Sequence, residues 1–152
     1  MKIKFLLPFI AVASLASCSD GSTKNPPGAA ENATDSTTAY CYSSTRNRDT
    51  VLLHINISGE KVQGELEYNL YEKDRNKGTL EGVLKGDTLI ADYKFLSEGV
   101  ESVREVAFLK KGNDLIEGFG EAEEKKGKIM FKDIRALNFD NSFILQKVDC
   151  KH

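Results

Sequence analysis

Between residues 50 and 148 the chain alternates apolar and polar side chains in short runs broken by turns of Gly, Asn, Asp and Lys. A period of two belongs to a strand, whose successive side chains point to opposite faces, whereas a helix repeats its apolar positions every three or four residues. In residues 50–58, Val51, Leu53, Ile55 and Ile57 share one face, while Leu52, His54, Asn56 and Ser58 share the other. The alternation continues through Val62, Leu66, Tyr68 and Leu70, then Leu80 and Leu84, then Leu89, Ala91, Tyr93 and Phe95. It resumes in residues 100–109, 115–119, 129–134 and 143–148. No helical period is sustained anywhere after Cys41.

About eight short strands at roughly ten-residue spacing, joined by tight polar turns, predict an antiparallel up-and-down meander. The fold class is all-β. The meander is expected to close into a lipocalin-like barrel, with a two-sheet β-sandwich as the alternative, because strand lengths alone do not separate the two. Glycines at inward positions, such as Gly64 and Gly82, suit the bends and close backbone approach of a small barrel.

Within residues 89–120 the same parity carries polar groups to the apolar side. Tyr93 falls with Leu89 and Ala91, Ser102 and Arg104 fall with Val106 and Phe108, and Glu117 falls with Leu115 and Phe119. An inward arginine needs a partner to offset its desolvation. Glu117 across the next hairpin and Glu98 in the preceding turn are the acids within reach. Tyr93, Glu98, Ser102, Arg104 and Glu117 therefore form the candidate binding cluster, with two readings. In one, the planar fork of Arg104 grips an anion or a partner's carboxylate. In the other, an Arg104–Glu117 or Arg104–Glu98 pair plugs a barrel that its own side chains already fill.

The N-terminus carries a different signal. Lys2 and Lys4 precede an apolar run at residues 5–15 that is too short to span a bilayer and has the form of a secretory signal. It ends in Leu15-Ala16-Ser17-Cys18, which resembles the bacterial lipobox. The resemblance implies cleavage before Cys18 and acylation of that cysteine, hence a membrane partner reached through a lipid anchor and a place in the cell envelope. Residues 1–17 are then a signal peptide. Residues 18–39 are a lipidated cysteine and tether, too poor in large apolar groups to offset the entropy of ordering. Residues 40–152 are the barrel domain. With Cys18 acylated, Cys41 and Cys150 remain, and in an exported chain that pair is read as a disulfide tying the first strand to the last.

Charge and motif content narrow the function. Charged residues make up 29% of the 152, nearly balanced at net −2 and interspersed, so the field that draws a protein to nucleic acid is absent. The sequence has no glycine-rich phosphate loop and no nucleophile elbow. His54 and His152 are the only histidines, and neither stands at ligand spacing from a cysteine, so no metal centre is expected. Catalytic residues and cofactors are expected to be none.

The lipobox, Cys41 and Cys150, the Ser97-Glu98-Gly99 stretch with Ser102, Arg104-Glu105-Val106 and Phe108, and Leu115 with Glu117-Gly118 and Gly120-Glu121 together resemble small lipoproteins of Bacteroidota. That resemblance implies no activity. Tyr40-Cys41 and the far cysteine also resemble the membrane-bound lysozyme inhibitors, small disulfide-closed barrels, although this chain has no tryptophan. The expected function is non-enzymatic binding of a small ligand or an envelope protein. The alternative is inhibition of an envelope enzyme such as a lysozyme, and hydrolysis using Glu98 or Glu117 comes last.

Overall fold

A computed structural model describes residues 36–73, 75–97, 99–140 and 143–150. Cys18, the expected signal and most of the expected tether lie outside these residues, as does Glu98. The described chain is all-β, with strands β1 (Thr38–Arg46), β2 (Asp49–Ser58), β3 (Lys61–Asn69), β4 (Asn76–Lys85) and β5 (Thr88–Ser97). These are followed by β6 (Val100–Lys111), β7 (Asp114–Gly118), β8 (Ala122–Lys125), β9 (Lys128–Phe131) and β10 (Ile144–Val148).

Around the barrel the order is β5-β4-β3-β2-β1-β10-β7-β6, and pairing of β5 with β6 closes the ring of eight. Each neighbour in the ring is antiparallel. The meander is therefore sequential through β7, leaves the barrel, and returns as β10 to fill the place between β7 and β1.

Two strands differ from the sequence expectation. Residues 38–46 supply a full barrel strand, although Tyr40, Tyr42 and Ser44 make a weakly apolar inward face. Residues 129–134, expected as a barrel strand, instead divide between β9 and a 3-10 turn at Ile134–Ala136. β9 runs parallel to β6 outside the ring, pairing Val103 with Lys128 and Arg104 with Ile129. The reason lies in the backbone of β6: β7 pairs with it only as far as Ala107, so lower on β6 the edge that would be left open is taken up by β9. Glu105 reinforces this contact, its carboxylate accepting from the Phe131 N–H at 3.0 Å.

The core is the barrel interior, built by the inward parity of every strand. Val51, Leu53, Leu66, Leu80, Phe108 and Leu145 are among its fully buried side chains. Strands approach so closely that a Cβ on Gly64 would run into the His54 carbonyl, and one on Gly82 into the Ile90 carbonyl and Ala91. Glycine is required at both places because backbone cannot give way as a side chain can.

Cys41 and Cys150 are joined in a disulfide, with Cα atoms 5.2 Å apart. It staples β1 to the end of β10 across a sequence separation of 109 residues. Closing a loop of that size restricts the unfolded chain by about 4–5 kcal/mol in the chain-entropy account. Denaturant unfolding of the Cys41→Ser/Cys150→Ser chain, with a chelator present, is expected to show a loss of at least about 3 kcal/mol. An unchanged midpoint would mean that the β1–β10 ladder holds the seam unaided.

Candidate functional site

The barrel has two ends of different chemistry. Take as the lower end the one bearing the β1–β2, β3–β4 and β5–β6 turns. Here register sets Tyr93 opposite Arg104 and Phe95 opposite Ser102. Tyr93 and Glu117 are buried, whereas Ser102 and Arg104 are half-buried. The four residues expected from parity are thus on the interior side of the lower barrel, and the turn residue Glu98 lies outside the described residues.

Their contacts differ from the expected ion pair. Glu117 stands opposite Phe108 in the ladder, two inward positions away from Arg104. Its carboxylate accepts a 2.5 Å hydrogen bond from the Tyr68 hydroxyl, across the lumen from β3. Among the described residues no carboxylate lies within ion-pair distance of the Arg104 guanidinium. That group lies instead over the rings of Tyr68, Tyr93 and Phe95, at 5.0, 5.6 and 5.7 Å from their centroids. Tyr93 and Phe95 stack at 4.7 Å, and Tyr68 meets Tyr93 edge-on at 5.9 Å. The aromatic faces supply the negative potential that solvent would otherwise give the cation, on the order of 0.5–2 kcal/mol per contact.

Burial governs the titration of this cluster. Desolvation pushes the Glu117 carboxyl above its ordinary value, against the opposing pull of the Tyr68 hydrogen bond and the Arg104 charge. Desolvation also raises Tyr68 well above the usual phenol, aided by the Glu117 charge, and lifts Tyr93 to about 12. Among the described residues the Tyr93 hydroxyl, Arg104 Nε and Glu117 Oε2 have no hydrogen-bond partner. The free space beside Arg104 and Glu117, roofed by Phe119, Ile129 and Phe131, is about 130 Å³. Sites for organic ligands begin at about 300 Å³. The space beside Arg104 and Glu117 therefore has room only for something the size of a few waters.

The upper end is open. A recess of about 290 Å³ enters the barrel between Tyr40, Ile55, Ile57, Val62, Leu84, Leu89 and their neighbours. Its charged lining is Lys110 and Lys147. Both lysines have inward parity: Lys110 follows Val106 and Phe108 on β6, and Lys147 follows Leu145 on β10. Leu115 of β7 sits between them, paired with both Lys110 and Leu145. Among the described residues neither ammonium reaches a carboxylate, and Lys147 Nζ lies 4.9 Å from the centroid of the Tyr40 ring. Long stems lie along the apolar wall while the charged heads stay at the mouth. Tyr42, on the same wall, keeps its proton, its hydroxyl raised chiefly by burial and further by Tyr40 and Asp114.

Sequence reading placed Lys110 in a turn and gave Lys147 no role. The signal that identifies them is the strand parity that identified Arg104, carried one step further toward the mouth. A wider groove of about 600 Å³ crosses the outer wall at β1, β2 and β3. It is the more open of the two, and Glu65 and Glu67 along it already have cationic partners in Lys77 and Arg75.

The raised Glu117 carboxyl makes a sign-definite prediction. A carboxyl raised in the fold stabilises the folded state fully while protonated, below the ordinary value of 4.5, and that contribution is lost as pH rises through the folded value. Glu117→Gln keeps an acceptor for Tyr68 and removes the titration. Its stability relative to the parent is expected to be more favourable at neutral than at acid pH, measured by urea unfolding at both. An identical difference at the two pH values would contradict the assignment.

No protein-family model, curated protein or solved structure matches the chain, so its function rests on this geometry.

Proposed function

We propose that this is a non-enzymatic, ligand-binding barrel of the cell envelope, held at a membrane by lipid on Cys18, and that its upper recess takes an amphipathic anion. The observation that carries the reading is the pairing of an apolar recess with two inward lysines and no acid in its lining. Burying a hydrocarbon chain against Ile55, Ile57, Val62, Leu84 and Leu89 contributes about 0.8 kcal/mol per methylene. A carboxylate or similar head would replace the water around Lys110 and Lys147 with charge-assisted hydrogen bonds. The volume sets the scale at a medium-chain acid rather than a full-length phospholipid.

Topology supports the same reading. β1 begins at Thr38, whose partner Ile57 stands beside the β2–β3 turn at the upper end. The chain leading back to Cys18 therefore joins the domain at the rim of the recess. The lower cluster serves this function by filling the lumen around Arg104 and Glu117 with its own side chains.

Calorimetric titration of the oxidised chain with octanoate is expected to give one site, with octanol and octylamine binding more weakly. The Lys110→Glu/Lys147→Glu chain should lose at least about tenfold in octanoate affinity, or about 1.4 kcal/mol, while unfolding at the parent's midpoint. Equal affinities for acid and alcohol, or no loss on charge reversal, would overturn the proposal.

A further inference from the structure

The disulfide does not stand alone on the outer wall. β1 presents Tyr40 and Tyr42 to the interior and Cys41 to the outside, and the ladder places Cys41 opposite His54 of β2. His54 in turn stands opposite Glu65 of β3. The two sulfurs and a ring nitrogen of His54 lie within 4.8 Å of one another, with both cysteines half-buried and His54 exposed. Sequence spacing had separated these residues and set metal ligation aside. Antiparallel pairing brings them together, because position 41 and position 54 are on neighbouring strands and position 150 follows the strand on the other side.

While the sulfurs are bonded to each other they are poor ligands, since metals take the thiolate. Reduction frees both sulfurs to ionise and to act as ligands. A tetrahedral zinc ion holds thiolates at about 2.3 Å and imidazole at about 2.0–2.1 Å, which places ligand atoms about 3.3–3.8 Å apart. With the two Cα atoms 5.2 Å apart, side-chain rotation is enough to open the sulfurs to that distance and draw in His54. Two thiolates and an imidazole form a donor set selective for zinc over the hard cations, which prefer oxygen. Asp149, next to Cys150 in the chain, lines the groove at the cluster and gives a carboxylate within the same recess, while Glu65 on the far side of His54 is paired with Lys77.

We infer that Cys41, Cys150 and His54 form a redox-gated zinc site, vacant when the disulfide is closed and able to clip the same β1–β10 seam when it is open. The gating reductant is a dithiol. Its two thiols become a disulfide while Cys41–Cys150 becomes two thiols, a balanced two-electron exchange. Zinc then binds with release of both thiol protons, His54 coordinating as the neutral ring and water or a carboxylate taking the fourth position. The seam is thus closed by a covalent bond in an oxidising compartment and by a metal in a reducing one. This site is on the outer face and is independent of the recess inside the barrel.

The test uses the full chain, reduced, freed of reductant without oxygen, and titrated with cobalt(II) as the spectroscopic probe. Expected are one equivalent bound, a thiolate-to-cobalt charge-transfer band, the visible spectrum of a tetrahedral site and displacement by zinc. His54→Ala should weaken cobalt binding by at least about tenfold, since loss of a ligand exceeds the usual effect of loss of a ligand's neighbour. The oxidised chain should give no band. Zinc should also raise the unfolding midpoint of the reduced parent but not of Cys41→Ser/Cys150→Ser. Absence of the charge-transfer band, or its persistence at full affinity in His54→Ala, would overturn the inference.

Discussion

The β1–β10 pairing is the constraint on which the rest depends. Without it the meander is an open sheet with β1 at one edge, and neither end of the lumen has a complete wall. Its ladder is short, pairing Cys41 with Val148, Tyr42 with Lys147 and Ser43 with Gln146. So short a ladder between the two ends of the fold must form against the full entropy of closing the chain. The disulfide removes most of that cost by limiting the unfolded ensemble. Once closed, the seam sets Tyr40, Tyr42 and Lys147 around the recess and Cys41 beside His54 outside it.

The lumen then divides by chemistry. At the lower end Arg104 is held by three aromatic faces and Glu117 by Tyr68, an arrangement that fills space and tolerates one cation through ring electrostatics. At the upper end the side chains thin out to Ile57, Val62 and Leu84, and the only charges in the lining are the two lysines. A half-buried cation held over three aromatic rings is stabilised by what already surrounds it. Two lysine heads at an open apolar mouth are stabilised by water, which an anionic ligand can displace. That contrast is why the reading of function moves from Arg104 to Lys110 and Lys147.

Most of the barrel was legible because a period of two survives in each strand wherever large apolar residues mark the inward face. It failed at β1, where Tyr40, Tyr42 and Ser44 carry the inward positions, and at residues 128–131, where Ile129 and Phe131 suggest a core-facing strand but roof the barrel from outside. Parity alone put Tyr93, Ser102, Arg104 and Glu117 on the interior side. It could not supply register around the barrel: Tyr68 and Glu117 are 49 positions apart in the chain and meet across the lumen. The same limit hid Cys41 and His54, whose adjacency depends on the two-residue turn at Asn47 and Arg48. Lysine at a strand end reads as a turn residue, and only closure of the barrel shows that its stem lies along an apolar wall.

The central claim is that a small anionic amphiphile enters the barrel at the end where the tether joins it. Methyl-detected NMR of the oxidised chain titrated with octanoate tests this most directly. Perturbations confined to Ile55, Ile57, Val62, Leu84, Leu89 and Leu115, with Leu53, Leu66 and Leu80 unmoved below them, are the expected result. Shifts centred on Leu52 and Val148 of the outer groove, or none at saturation of the titration, would contradict it.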